Sequence, residues 1–356
     1  MRTLAGVLTL GLLLPAAVWS DAMPQSPKPP VAAMKPFEVE SPNGTRVDEY
    51  YWLRDDTRKN PEMLAYLTAE NAYKDAMLAP VRPLEEKVYG EIIARIKQDD
   101  ASVPYRDRGY RYYWRYETGK EYPVHARKAD SPDAQEQVLV DENELAQGHD
   151  FFDLGELEVS PDNRILAYAE DTVGRRQFTL RFKDLATGKM LPDVITNVEA
   201  NVAWAADSRT VLYVEKDPQT LLGNKVRKHV LGTDPKDDPV VYEEHDESFF
   251  IGVDTSKDGR YVFIGLQSTV STEQHYARAD DPKLEFKLIL PRERDHEYQA
   301  DHFDGRWIIR TNWQAPNFRL MEAKVGDSLD RAKWRELVAH RTDAFVDDFS
   351  VFRGFL

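Results

Sequence analysis

A short pattern recurs through the chain from residue 106 onward, and it restricts the fold more than any other feature. An aspartate-centred turn is followed at once by an apolar run. The copies are Ser160-Pro161-Asp162-Asn163-Arg164 before Ile165-Leu166-Ala167-Tyr168, Ala206-Asp207-Ser208-Arg209 before Val211-Leu212-Tyr213-Val214, Lys257-Asp258-Gly259-Arg260 before Tyr261-Val262-Phe263-Ile264, and Phe303-Asp304-Gly305-Arg306 before Trp307-Ile308-Ile309. Arg106-Asp107-Arg108-Gly109 before Tyr110-Arg111-Tyr112-Tyr113-Trp114 is a looser copy. The aspartates at 107, 162, 207, 258 and 304 are spaced by 55, 45, 51 and 46 residues. Asp-Gly and Asp-Asn tolerate the left-handed backbone of tight turns, so each copy reads as a β-hairpin. Within the second copy Phe178, Leu180 and Phe182 alternate, and Thr187-Gly188 marks another turn before Met190-Leu191. About four short strands per unit of roughly 45–50 residues is the signature of a propeller blade. A β-sandwich also supplies short strands, but not one turn repeated at near-constant period. The expectation is a mainly β chain whose residues 101–356 form five propeller blades and the start of a sixth. The sixth is expected because Arg353-Gly354-Phe355-Leu356 stands 49 residues after the Gly305 turn. An unfinished blade would leave an open strand edge and an exposed apolar face, so the sequence reads as part of a longer chain.

Residues 37–100 precede the repeats and read as a helical segment. Asn60-Pro61-Glu62 supplies an N-cap, a proline at the first helical position and an acid in the first turn. Met63, Tyr66, Leu67, Tyr73, Ala76 and Met77 follow at helical spacing, and after Pro80 and Pro83 a second stripe runs through Leu84, Val88, Ile92 and Ile96. Each amphipathic helix is expected to bury one face. Residues 1–22 read as a secretory signal: Arg2, the apolar run from Leu4 to Val18, and small residues at Ser20 and Ala22 before a cut. That run is short for a bilayer, and no later segment is expected to span one. Residues 23–36 hold Pro24, Pro27, Pro29, Pro30 and Pro36 and read as an extended linker. The expectation is an exported protein, periplasmic or secreted.

Composition narrows the chemistry. The 356 residues contain no cysteine, which removes thiol nucleophiles, zinc ribbons and disulfide scaffolds. A net charge of −15 argues against a nucleic-acid binder and suits cationic ligands. Ser328 lies in Gly326-Asp327-Ser328 but lacks the glycine of a nucleophile elbow, because position 330 is Asp. His296-Glu297 with His302 misses zincin spacing. Asp237-Asp238 and Asp347-Asp348 read as charged turns rather than acid/base pairs. In Tyr110 to Tyr116, alternation places Tyr110, Tyr112, Trp114 and Tyr116 on one face, which reads as a buried strand face rather than a stacking platform for bases. No catalytic, metal-binding or cofactor-binding residue is assigned, and no cofactor is expected.

Asp48-Glu49-Tyr50-Tyr51-Trp52-Leu53-Arg54-Asp55-Asp56 resembles the opening signature of the prolyl oligopeptidase family of serine peptidases. Glu70-Asn71-Ala72-Tyr73, Arg95-Ile96-Lys97-Gln98-Asp99-Asp100 with Val103-Pro104-Tyr105, and Gly119-Lys120-Glu121-Tyr122-Pro123 resemble its oligopeptidase B branch. So do Leu157-Glu158-Val159-Ser160-Pro161-Asp162, Val202-Ala203-Trp204-Ala205 and Arg310-Thr311-Asn312. The resemblance runs from about residue 35 to the end. It implies a peptidase cutting short peptides after Arg or Lys, built from a seven-bladed propeller and a C-terminal α/β-hydrolase domain that carries Ser, Asp and His. That domain would lie beyond residue 356, so no catalytic residue carries over and the chain alone is expected to be inactive. The implied partners are the hydrolase domain, against which the helical segment would pack, and short cationic peptides. The blades would cap and gate the active site. A signal peptide departs from the many cytoplasmic relatives. The competing reading is a free-standing exported propeller that binds ligands without catalysis.

Overall fold

The computed structural model describes residues 27–352 and 355–356, and the expected signal segment at 1–22 lies outside them. The chain divides into two compact units, the boundary falling between Ile96 and Lys97. In the first unit, β1 (Phe37–Val39) pairs antiparallel with β2 (Arg46–Asp48), and helices α1 (Pro61–Leu78) and α2 (Arg82–Ile93) follow. Asn60 caps α1 as its residue type predicts, its side chain accepting from the N–H groups of Glu62 and Met63. The expected burial of the helix faces is not observed. Of α1 and α2 only Met63 is buried, and the stripe of Leu84, Val88 and Ile92 stays exposed. Its i+4 spacing produces a coherent apolar face, but nothing among the described residues covers it.

The second unit consists of five antiparallel blades that do not close into a ring among the described residues. The first blade is β3 (Tyr105–Asp107), β4 (Tyr110–Arg115), β5 (Val124–Ala129) and β6 (Glu136–Asp141), followed by the short helix α3 (Glu142–Leu145). The second and third share a seven-stranded sheet: β7 (Asp153–Val159), β8 (Ile165–Asp171), β9 (Phe178–Asp184), β10 (Met190–Trp204), β11 (Thr210–Lys216), β12 (Gly223–Val230) and β13 (Val240–Glu243). β10 serves both, pairing with β9 over its first half and with β11 over its second, with Val198 as the pivot. The fourth blade is β14 (Phe250–Thr255), β15 (Tyr261–Gln267), β16 (Thr272–Arg278) and β17 (Lys287–Leu290). The fifth is β18 (Tyr298–Phe303), β19 (Arg306–Thr311), β20 (Arg319–Lys324) and β21 (Arg335–Val338).

The recurring aspartates act through their side chains. In the second to fourth blades a loop joins the first two strands, with positive φ at Asn163 (64°), Ser208 (58°) and Gly259 (69°). The carboxylates of Asp162, Asp207 and Asp258 accept from the backbone N–H of Arg164, Arg209 and Arg260, closing each loop as an Asx turn. The first and fifth blades use a tighter solution. Arg108 and Gly109, and Asp304 and Gly305, are two-residue connections with positive φ at both positions, as a type I′ turn requires.

From the second blade onward the apolar runs after these turns are continuous because the second strand is buried on both faces. On β8, Leu166 and Tyr168 pack with Tyr112 and Val140 of the first blade, while Ala167 and Ala169 pack with Val211 and Tyr213 of the third. On β15, Val262 and Ile264 join Leu212 and Val214, while Tyr261 and Phe263 join Trp307 and Ile309 of the fifth blade. The tyrosine-rich β4 departs from its expected pattern: Tyr112 is buried, but Trp114 is 37% exposed and borders an inter-blade cavity. The strand outruns the core there, so alternation extends past the buried surface. Beyond the fifth blade, Ile308, Val351, Phe352 and Phe355 line an apolar cleft of about 920 Å3. The expected sixth hairpin centres on Arg353-Gly354, outside the described residues; the flanking Phe352 and Phe355 form an isolated antiparallel bridge.

Candidate functional site

The innermost strands of the blades bring together groups far apart in sequence. A cleft of about 620 Å3 is lined by Glu156 of β7, Asn201 of β10, Gly252 and Asp254 of β14, and Gln299 of β18. Gly252 permits the close approach of β14 to β10, since a Cβ there would stand 2.9 Å from Asn201 Nδ2. The amide oxygen of Asn201 is buried without a hydrogen-bond partner among the described residues. Glu158, two residues along β7, and Asp301 of β18 extend the acidic rim.

These four carboxylates share an electrostatic state. Burial, reinforced by Asp254, pushes Glu156 up to about 7. Burial together with Glu156 does the same to Glu158, also about 7. Asp254 and Asp301 are raised by burial too, although backbone N–H groups of Thr255, and of Lys257 and His302, oppose the rise. Among the described residues none of the four forms a salt bridge within 4.0 Å. The rim therefore presents four carboxylates without a salt-bridge partner, although Arg310 also lines the cleft and Arg108 acts on Glu158.

The residues considered from sequence lie elsewhere, each with a structural role. Ser328 is 1% exposed in the loop after β20, its carbonyl accepting from the Trp334 indole at 2.9 Å. His296 contacts Arg331 through Nδ1 and Thr311 through Nε2, and burial with the neighbouring Arg331 lowers it to about 4. It is a neutral ring that accepts from the arginine and donates to the hydroxyl. His302 bonds the turn carboxylate of Asp258 at 2.7 Å, tying the fifth blade to the fourth. The two histidines thus have separate partners. Asp347 and Asp348 are exposed. Asp238 separates from Asp237: it is buried, meeting His229 Nδ1 at 3.0 Å and receiving the Tyr213 hydroxyl at 3.0 Å, while Asp193 bonds His229 Nε2 at 3.0 Å. Sequence spacing gives no hint of this cluster, because β10 delivers Asp193 from the preceding blade. The rim acids were equally hidden, although Glu158 and Asp254 each stand four residues before a turn aspartate.

Comparison with known proteins identifies this architecture. Residues 29–356 match the family model described as prolyl oligopeptidase, N-terminal beta-propeller domain. The chain belongs to the prolyl oligopeptidase family. It is 53% identical over 353 residues to dipeptidyl aminopeptidase BI of Pseudoxanthomonas mexicana, covering 94% of this chain and 48% of that protein. Protease 2 of Moraxella lacunata is 29% identical over 333 residues, covering 92% and 47%. The structure of oligopeptidase B from Leishmania major superposes with a TM-score of 0.81 at 30% identity, covering 88% of this chain and 46% of that one. Oligopeptidase B from Trypanosoma brucei, in a closed form with covalently bound antipain, also gives a TM-score of 0.81 at 28% identity, covering 91% and 48%. The chain spans about half the length of the curated relatives it matches. Among the described residues no helix is long and apolar enough to cross a membrane.

Proposed function

We propose that this chain is the propeller half of a two-domain serine peptidase that hydrolyses short peptides after Arg or Lys. The observation that carries the reading is the rim of Glu156, Glu158, Asp254 and Asp301, four carboxylates on the first strands of three blades, none of which forms a salt bridge among the described residues. Such a rim raises the local concentration of cationic peptides, and blades around it exclude folded proteins from a hydrolase domain behind. Nucleophile, base and oxyanion donors would come from that domain. The exposed stripe of Leu84, Val88 and Ile92 supports its docking, since an apolar helix face of this kind needs a partner. The likeness to two oligopeptidase B structures supports the peptidase reading.

A second reading has its own observation. The 53% identity to a dipeptidyl aminopeptidase favours release of dipeptides from a free N-terminus, where the rim carboxylates would meet an α-ammonium group. Both readings are tested by joining the chain to its hydrolase domain and assaying one Arg-containing peptide with free and with acetylated N-termini. Cleavage of both after Arg supports the endopeptidase, and cleavage of the free form alone supports dipeptide release. Equal cleavage of an Arg→Ala peptide would refute the cationic preference. Export is also proposed, on the strength of Arg2, the Leu4–Val18 run and the Ser20-x-Ala22 site. N-terminal sequencing of the mature protein should begin near Met23, and an intact Met1 would contradict it.

A further inference from the structure

Between the first and second blades lies a smaller cavity of about 230 Å3. Its walls include Tyr105 of β3, Tyr112 and Trp114 of β4, and the carboxylate-bearing Glu158 of β7. At roughly 30 Å3 per water molecule it offers space for one long side chain rather than a single ion. Tyr105 and Tyr112 stack with ring centroids 5.4 Å apart at 18°, yet Tyr105 remains 64% exposed and Trp114 37% exposed. Aromatic surface is thus available at the open mouth of the site, where Val103 is exposed as well.

The charges in this cavity are not balanced. Its basic side chains are both engaged: Arg108 Nε donates to Asp107 at 2.7 Å and Nη2 to the Val159 carbonyl at 3.1 Å, while His125 of β5 bonds Glu142 at 2.7 Å. Glu158 has no hydrogen-bonded or ion-pair partner for its side chain among the described residues. An apolar occupant would leave Glu158 buried and unpaired, and an anion would be repelled. A planar cation satisfies both walls, stacking on tyrosine or tryptophan while its N–H groups reach the carboxylate.

We propose that this inter-blade pocket binds the guanidinium group of an arginine in a peptide, with Glu158 accepting its N–H groups between the rings of Tyr105 and Trp114. The choice of a peptide as the source rests on the function proposed above, but the site itself requires no catalysis. Binding deepens with pH. Asp107 and Arg108 from the β3–β4 turn, Glu156 from the same strand and Asp254 from β14 all act on Glu158, and burial with Glu156 holds it near 7. A guanidinium selects the ionised form, so affinity rises between about pH 6 and about pH 8.

The test is equilibrium binding of N-acetyl-arginine amide to the 356-residue chain, followed by calorimetry, with N-acetyl-citrulline amide as the neutral isostere. Arginine should bind and citrulline should bind about tenfold more weakly or worse, the loss expected for one charge-assisted hydrogen-bonded pair. Glu158→Gln should cost arginine about the same factor and flatten the pH dependence. Tyr105→Leu, at an exposed position, should weaken binding without altering the melting curve. Absence of arginine binding, equal binding of citrulline, or unchanged affinity in Glu158→Gln would overturn the proposal. A chain that binds arginine but, joined to a hydrolase domain, cuts no cationic peptide would keep the pocket and refute the function. The reverse result would remove the pocket alone.

Discussion

Carboxylates on the inner rim and carboxylates in the bodies of the blades differ in partner and therefore in charge state. In the fourth blade Glu273 is flanked by Arg292 and His275, with Arg292 also bonding Glu244 of the neighbouring blade and lying over the Phe249 ring at 3.9 Å. Burial pushes Glu273 up, but the bonds from His275 and Arg292 outweigh it and hold the group down at about 2. Glu322 is gripped by Arg306 and Arg335, Glu136 by Arg115, and Glu199 by Lys216. Glu156 and Glu158 experience comparable burial without a paired cation, and rise to about 7. The contrast teaches where acidity is structural and where it is held open. These body acids are paired within the blades, whereas the rim acids have no salt-bridge partner among the described residues.

Removing the structural partner should produce the largest change. Arg292→Ala strands Glu244 and Glu273, whose side chains are 8% and 11% exposed, and should cost about 3–5 kcal/mol in urea denaturation. If stability is unchanged, the body acids are not held by pairing and the comparison fails. The next effect is on pH dependence. The folded chain keeps protons on Glu156 and Glu158 that the unfolded chain releases between about 4.5 and about 7. Their stabilising protonated forms are therefore lost as pH rises through 7, and the urea midpoint should fall between about pH 5 and about pH 8. In the double variant Glu156→Gln, Glu158→Gln that limb should flatten. Glu273 acts in the opposite sense: its contribution is present above about 4.5 and disappears as pH falls toward about 2, so the acid limb should survive in the double variant. The smallest effect is expected at an exposed pair. Arg278→Ala, which breaks the bond to Asp280 at 2.6 Å between side chains 66% and 58% exposed, should leave the urea midpoint unchanged.

Much of the blade architecture was legible because its determinants are local. A turn aspartate closes a loop over its own next residues, and a doubly buried strand needs an unbroken run such as Tyr261-Val262-Phe263-Ile264; both are written in consecutive letters. The fused strand β10 was less legible, since its two halves pair with different neighbours. The buried Asp193–His229–Asp238 cluster and the acidic rim were not legible, because blade-to-blade rotation decides which inner residues meet. The stripe of Leu84, Val88 and Ile92 was legible as an amphipathic face, but periodicity specifies a face and not the body that covers it, and none of the described residues does. Trp114 carries the same lesson on a strand.

The proposed role of the rim in attracting cationic peptides is tested most directly by the salt dependence of kcat/KM. The measurement compares the chain joined to its hydrolase domain with the variant Glu156→Gln, Glu158→Gln, Asp254→Asn, Asp301→Asn on one Arg-containing peptide. Exposed charges attract over roughly 10 Å at 0.1 M salt, so the unmodified enzyme should lose kcat/KM steadily as salt rises. The variant should start lower and show a nearly flat dependence, converging with the unmodified enzyme at high salt. Equal slopes in the two proteins would contradict the account, placing the attraction for cationic peptides outside the inner rim.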